Sequence, residues 1–185
     1  MAKNKDNNSI LAITKNLTIT CLVSGLIIAC VYYITAPVAA QKKVQIQNDT
    51  MRELVSNADD FKTINGKKDW YAAKKGNKTI AYVVPAVTKG YGGDIDMLVA
   101  VTADGKVIDY SIQTHNETPG LGANATKDPF KGQFKNKTVD NLKVTKDKSD
   151  KKDIQAMTGA TITSRAVTNG VKKAVQQVTT FTGGK

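Results

Sequence analysis

Cysteine and histidine are almost absent from this sequence of 185 residues. Its two cysteines, Cys21 and Cys30, both lie in one apolar segment near the N-terminus, and His115 is its single histidine. The remainder of the chain therefore cannot hold a disulfide framework, a cysteine-ligated metal or a multi-histidine metal site. We accordingly expect no metal site in the domain that follows the apolar segment.

Proline and acidic residues are also sparse. Four prolines exclude a proline-rich low-complexity chain, and 27 basic residues against 16 acidic ones give a net charge of +11. The lysines are dispersed in short groups with acidic residues between them, and no stretch alternates aromatic side chains with cations. This pattern is typical of a solvated basic surface, suited to anionic membrane lipid, and we expect no nucleic-acid partner.

One long uncharged run stands out against this polar background. It extends from Leu17 to Ala36, and roughly 20 apolar residues span the ~30 Å hydrocarbon core of a bilayer as a helix. Three lysines and one acidic residue precede the run, which favours a cytoplasmic N-terminus. A cleaved signal peptide is the alternative, because small residues precede Gln41. Either interpretation places the following domain on the extracytoplasmic side of the cell membrane.

The chain accordingly divides into four parts. We expect a cytoplasmic N-terminus over residues 1–16, a transmembrane anchor over 17–37, a helical connector leading into the domain over 38–77, and the folded domain over 78–185. Within the connector, a short helix is expected from about Gln41 to Ser56. Its candidate inward positions are Val44, Met51, Leu54 and Val55.

The folded part alternates strand and turn patterns. Trp70-Tyr71 and the β-branched segments 78–87, 95–102 and 107–114 predict strands, separated by a glycine-rich turn and a hairpin turn. A final helix is predicted from about Ser164 to Thr179 by apolar residues at helical spacing. These apolar residues are Ala166, Val167, Val171, Ala174, Val175 and Val178. An antiparallel sheet packed by helices is an α+β fold.

Two loops combine glycines with hydroxyl or ring-constrained residues. The segment His115–Gly122 (HNETPGLG) allows close main-chain approach to a flat ligand, or forms a plain surface turn. The segment Thr158–Ser164 (TGATITS) precedes the final helix, where Thr163 and Ser164 are candidate N-caps. Free N–H groups at a helix start suit a phosphate, although capping alone would also explain these hydroxyls.

Both loops resemble one known family. TGATITSRAV is similar to the flavinylation motif of the FMN-binding domain family, and HNETPGLG with the upstream GYGGDIDMLVAVTADGKVIDYSI resembles that family's central segment. The resemblance extends from about Lys78 to the C-terminus. Within the family, the sequence looks most like the RnfG-type subunits of Rnf complexes, the ion-translocating ferredoxin:NAD⁺ oxidoreductases. The C subunit of the sodium-pumping NADH:quinone reductases is similar and remains an alternative.

The resemblance implies a covalent FMN, joined through its phosphate to the hydroxyl of Thr161. It implies that one set of residues flanks the flavin ring: His115, Glu117, Thr118, Pro119, Gly120, Leu121 and Gly122. A second set would cradle the phosphate and ribityl end: Thr158, Gly159, Ala160, Thr163 and Ser164. Three residues before the first hydroxyl residue of the motif, where the family usually has Asp, this sequence has Gln155.

The resemblance further implies an electron-transfer subunit of a membrane-bound complex that couples electron flow from ferredoxin to NAD⁺ to Na⁺ or H⁺ transport. Its expected partners are the remaining integral membrane and redox subunits of the complex, a flavin transferase during maturation, and membrane lipid. We identify no nucleophile–base pair or carboxylate dyad, so no catalytic residues are predicted for this chain by itself. Two rival interpretations are a stand-alone extracytoplasmic flavin shuttle and an anchored lipid- or polymer-binding module.

Overall fold

The computed structural model describes residues 10–147 and 149–183. The chain separates into two compact units, residues 1–47 and residues 48–185. The described part of the first unit, residues 10–47, is most of one long helix, and the second unit contains the sheet and the loops with the predicted site residues.

The long helix α1 extends from Ile10 to Leu54. It is long and apolar enough to cross a membrane, judged by length and composition. Its large apolar side chains between residues 10 and 46 are exposed. The hydroxyls of Thr20 and Thr35 donate to backbone carbonyls four residues earlier, so these polar groups are satisfied within the helix.

Helix α1 continues past the expected end of the anchor. The sequence pattern predicts a separate helix from about Gln41, whereas Pro37 lies inside one unbroken helix. A single proline removes one backbone hydrogen bond, which a long helix tolerates with a local bend. The prediction for Val44 is wrong, because this residue is exposed.

The second unit is built on a five-stranded antiparallel sheet in the order β1-β2-β3-β4-β5. The strands are β1 (Asp60–Thr63), β2 (Tyr71–Lys75), β3 (Lys78–Lys89), β4 (Asp94–Thr102) and β5 (Val107–Thr114). The predicted meander is confirmed from β2 onward. Strand β1 escapes prediction because its four residues, mostly exposed at the sheet edge, carry no apolar alternation.

Helix α2, Thr161–Thr182, covers one face of the sheet. All six apolar residues predicted for its inner face are buried, which confirms the prediction from their spacing. The opposite face of the sheet is covered by Met51, Leu54 and Val55, at and just beyond the end of α1. These three residues confirm the inward positions predicted for them, and the compact unit therefore begins at Asn48, well before residue 78.

A long connection carries the chain from the end of β5 to the start of α2. It contains three short 3₁₀ helices, Gly122–Thr126, Lys131–Phe134 and Val139–Asn141, and a short parallel pair of strands, β6 (Val144–Thr145) and β7 (Ile154–Gln155). Edge-to-face aromatic contacts anchor it to the sheet: Phe134 packs against both Tyr110 and Phe130. The connection returns the chain to the sheet end from which it left.

Candidate functional site

The two glycine-containing loops meet at the start of α2, around a cavity of about 480 Å³. Ten residues line it: Tyr91, Glu117, Thr118, Leu121, Gly122, Gly159, Ala160, Thr161, Ile162 and Thr163. Eight of these are predicted site residues. Tyr91 and Ile162 are additions that the structure makes. Their signal in the sequence is their position, since each large side chain interrupts a run of small or hydroxyl-bearing residues.

The helix start differs from the prediction. Helix α2 begins at Thr161, and the residue at its N-cap position, Ala160, offers no side-chain cap. The prediction of Thr163 and Ser164 as N-caps is wrong, because both lie in the first turn of the helix. The hydroxyl of Ser164 donates to the carbonyl of Ala160 at 2.8 Å and accepts from the N–H of Met157 at 3.0 Å. The first turn therefore presents uncapped N–H groups, an arrangement that favours an anion.

Thr161 is the first residue of the helix and lines the cavity. Its side chain is half-buried, and no side chain among the described residues hydrogen-bonds to its hydroxyl. Thr163 differs, because its hydroxyl donates to the carboxylate of Glu117. Thr158 differs in another way, because it is exposed and lines a neighbouring cleft. Of these three threonines, Thr161 is the one that lines the cavity and is not engaged by another side chain among the described residues.

The loop 115–122 is held by its own hydrogen bonds. The N–H groups of Leu121 and Ala123 both donate to the carbonyl of Thr118, at 3.1 and 3.2 Å. His115 accepts the N–H of Glu117 at its Nδ1, 3.2 Å away. His115 thus shapes the loop and does not line the cavity.

Tyr110 supports the same loop from beneath. Its side chain is fully buried, and its hydroxyl donates to the carbonyl of Ala125 at 2.6 Å, in the 3₁₀ helix that continues from the loop. Burial raises the pKa of Tyr110, and the nearby carboxylates of Asp109 and Asp128 raise it further. The hydroxyl therefore keeps its proton and continues to donate.

Two glycines allow the loops to approach each other. Gly159 has a φ of +75°, which favours glycine, and an added Cβ would lie 3.1 Å from Cδ2 of Leu121. At Gly122, an added Cβ would lie 2.6 Å from both Oε2 of Glu117 and Oγ1 of Thr163. A side chain at position 122 would therefore occupy space that the floor of the cavity already uses.

Five predicted residues do not line the cavity: His115, Pro119, Gly120, Thr158 and Ser164. Gly120 and Thr158 lie instead on the neighbouring cleft, of about 610 Å³, together with Gln155. The side-chain nitrogen of Gln155 donates to the carbonyls of Asp147 and Asp150. An aspartate side chain at position 155 would have no N–H to donate to these carbonyls. In this chain, Gln155 therefore stabilises the loop that contains Asp147 and Asp150.

The lining of the cavity fits FMN. The uncapped first turn of α2 suits a phosphate, and the exposed apolar side chains of Tyr91, Leu121 and Ile162 in the same lining suit a flat ring. Among the described residues that line the cavity, Glu117 is the only acidic side chain and none is basic. Within the described ranges, no three His, Cys, Asp or Glu residues are grouped so that they could bind a metal ion.

Comparison with known proteins agrees with this fit. Residues 90–176 match the family model of the FMN-binding domain. Over its full length, the chain is 77% identical to the G subunit of the proton-translocating ferredoxin:NAD(+) oxidoreductase complex of Clostridium ljungdahlii, and all of that protein is covered. It is also 31% identical to the G subunit of the Na(+)-translocating complex of Acetobacterium woodii, covering 86% of this chain and 87% of the relative.

The fold and cavity define an FMN-binding domain carried on a chain with an apolar N-terminal helix. The chain belongs to the RnfG family, the G subunits of ion-translocating ferredoxin:NAD⁺ oxidoreductase (Rnf) complexes. The crystal structure of the C subunit of the Na(+)-translocating NADH-quinone reductase of Parabacteroides distasonis shares the fold. Its TM-score is 0.52 at 22% identity, over 63% of each chain. The alternative of a protein like that C subunit is thus supported by the fold alone.

Proposed function

We propose that this chain is the membrane-anchored electron-transfer G subunit of an Rnf complex, carrying FMN covalently on Thr161. The accessible hydroxyl of Thr161 at the uncapped start of α2 is the observation that carries the proposal. The names of the Clostridium ljungdahlii and Acetobacterium woodii relatives support the role in the complex. Bound FMN would supply one- and two-electron redox chemistry, which the side chains of the protein lack.

Attachment would proceed by phosphoryl transfer to the threonine. The Oγ1 of Thr161 forms a new P–O bond to the FMN phosphate and loses its proton, while the bond between that phosphate and its leaving group breaks. A flavin dinucleotide supplies such a leaving group, because AMP departs when its diphosphate is cleaved. A flavin transferase is therefore the expected partner during maturation.

The chain itself would bind the two ends of FMN differently. The first-turn N–H groups of α2 would bind the phosphate and would stabilise its negative charge. Leu121, Tyr91 and Ile162 offer apolar surface to the ring and exclude water from its contact face. The ester at Thr161 prevents loss of the flavin into a compartment that does not contain its biosynthetic enzymes.

The apolar helix α1 would anchor the domain in the cell membrane with residues 17–37 in the bilayer. The lysines before the helix favour a cytoplasmic N-terminus, and the FMN domain then lies on the extracytoplasmic side, beside anionic lipid. The anchor carries no charged residue between Leu17 and Ala36. The ion path would therefore belong to other integral membrane subunits, with which this chain exchanges electrons.

Intact mass of the denatured full-length protein tests the attachment. Protein produced with a flavin transferase is expected to carry the mass of one FMN less one water, and Thr161→Ala is expected to carry none. Thr180→Ala, exposed near the C-terminal end of α2 and outside the motif, is the matched control and keeps the added mass. Retention of the added mass by denatured Thr161→Ala would refute the proposed site.

Purification from membranes tests the role in a complex. The full-length chain is expected to co-purify with integral redox partners and to lack turnover with a soluble electron donor when isolated. Isolation as a single active species would favour a stand-alone flavin shuttle, and colourless protein that binds anionic vesicles would favour a lipid-binding module.

A further inference from the structure

Glu117 lies at the floor of the cavity in an unusual electrostatic setting. Its side chain is only 6% exposed, and no cation pairs with it among the described residues. Withdrawal of a carboxylate from water without a cationic partner costs free energy unless hydrogen bonds replace the lost water. The surroundings of this carboxylate therefore bear on what it does.

Both oxygens of Glu117 are occupied by hydrogen-bond donors from other segments. Oε1 accepts the N–H of Gly92 at 2.9 Å, and Oε2 accepts the hydroxyl of Thr163. Gly92 belongs to the turn between β3 and β4, 25 residues away, and Thr163 to the first turn of α2, 46 residues away. The carboxylate thus links the loop 115–122 to the turn that contains Gly92 and to the first turn of α2.

The glycines around the cavity leave room for this side chain. An added Cβ at Gly90 would lie 2.3 Å from Oε1 of Glu117, and one at Gly122 would lie 2.6 Å from Oε2. An added Cβ at Gly92 would lie 2.0 Å from the carbonyl oxygen of the neighbouring Asn116. The small residues of two loops are therefore packed around the Glu117 carboxylate and the backbone beside it.

This geometry fixes the Glu117 side chain in one position. A side chain that is almost fully buried, with both oxygens engaged by donors on different elements, has little freedom to swing between a ligand and solvent. Its contacts can instead hold the turn that contains Gly92 and the first turn of α2 in fixed positions relative to each other. Hydrogen bonds to a charged group are stronger than those between neutral groups, which suits that role.

We propose that Glu117 is a positioning residue for the flavin: its carboxylate holds the Gly90–Gly93 turn and the first turn of α2 at a fixed separation, and so gives the cavity the shape that immobilises FMN. The inference rests on the proposed function for the identity of the ligand. The distance between the two walls would be set by this one side chain.

The first test measures reversible FMN binding by full-length protein produced without flavin transferase. Thr163→Val removes one hydrogen bond to the carboxylate and is expected to weaken binding by about ten-fold. Glu117→Ala removes both hydrogen bonds and is expected to weaken binding by at least about ten-fold. Glu117→Gln and Thr163→Ser can each keep a hydrogen bond between positions 117 and 163. Their affinity for FMN is expected to stay within about three-fold of that of wild type. Exposed Glu53, the only other glutamate in the sequence, supplies the control Glu53→Ala.

The second test distinguishes positioning from a general loss of stability. Flavin attached to wild-type protein is expected to show an induced visible circular dichroism band, which weakens in Glu117→Ala and is restored in Glu117→Gln. Amide exchange of Gly92 requires no flavin and is expected to be faster in Glu117→Ala than in Glu53→Ala. Thr163→Val provides the same comparison if Glu117→Ala fails to fold.

Wild-type protein that binds FMN, with Glu117→Ala and Thr163→Val indistinguishable from Glu53→Ala, would overturn this inference alone. Faster exchange of Gly92 with unchanged FMN affinity and dichroism would also overturn it, because the carboxylate would then serve the fold and not the flavin. Wild-type protein that takes up no FMN by either route would overturn the proposed function itself.

Discussion

Gln133 and Gln155 hold each other through two hydrogen bonds: the N–H of Gln155 donates to Oε1 of Gln133 at 2.7 Å, and Nε2 of Gln133 donates to the carbonyl of Gln155 at 3.4 Å. The side chain of Gln155 meanwhile donates to the carbonyls of Asp147 and Asp150. The segment that leads into the attachment loop is thus fixed at β7, three residues before Thr158. A donor at position 155, and not an acid, is what this local structure requires.

Replacement of Gln155 by the acid usual at this position tests that requirement. Gln155→Asp is expected to lower the free energy of unfolding by about 1–2 kcal/mol, because a carboxylate cannot donate to the carbonyls of Asp147 and Asp150. Denaturant titration measures the loss, with exposed Gln113→Asp as the control. Equal stability of Gln155→Asp and wild type would show that these hydrogen bonds contribute nothing.

The bond from Tyr110 to Ala125 predicts a second stability effect. Tyr110→Phe leaves the buried carbonyl of Ala125 without its donor and is expected to lower the free energy of unfolding by about 1–3 kcal/mol at neutral pH. Chemical denaturation checks the value. Tyr82, half-buried and packed edge-to-face against Phe181, gives the comparison Tyr82→Phe, which is expected to cost less. The reverse order would contradict the supporting role given to Tyr110.

The raised pKa of Tyr110 predicts a dependence on alkaline pH. The unfolded state releases this proton near pH 10, while the folded state retains it, so the stabilisation is complete below about pH 10 and is lost as the pH rises further. Wild type is expected to lose up to about 1.36 kcal/mol per pH unit more than Tyr110→Phe above that point. Parallel stability curves for the two proteins between pH 9 and 11.5, a range chosen to bracket about pH 10, would be incompatible with a raised pKa.

The close packing at Gly122 predicts a defect in flavin binding. Gly122→Ala places a methyl group 2.6 Å from both Glu117 and Thr163, so the loop or the helix start must move. We expect the purified variant to carry less FMN than wild type, as read from visible absorbance per protein. Gly25→Ala is the matched control, because no atom lies within 4 Å of its added Cβ. An FMN content of Gly122→Ala equal to that of wild type would show that Glu117 and Thr163 can move apart without loss of flavin binding.

The strongly periodic elements of this protein could be predicted from its sequence. Helical spacing from Ala166 to Val178 identified the buried face of α2, and β-branched runs identified β3 to β5, because each pattern reflects burial on one side. Strand β1 could not be found, because a short exposed edge strand buries little. Its pairing with β2, and not its composition, keeps it in the sheet.

The motifs identified the two loops that meet around the cavity, but they did not predict where helix α2 begins. The motif residues gave both loops, but hydroxyl content placed the helix start at Ser164, and the structure begins α2 at Thr161. Local sequence could not reveal this, because the hydroxyls of Thr163 and Ser164 are used in tertiary and backbone contacts within the first turn. Tyr91 joins the cavity through a turn that is distant in sequence, so only the fold brings it there.

Fragment mass spectrometry of one tryptic peptide tests the central claim most directly. Cleavage after Lys152 and Arg165 releases residues 153–165, which contain Thr158, Thr161 and Thr163. From protein matured with its flavin transferase, we expect a flavin phosphodiester on this peptide, with the fragment series placing it on Thr161. An unmodified peptide from such cells, or a flavin on either of the other two threonines, would contradict the account.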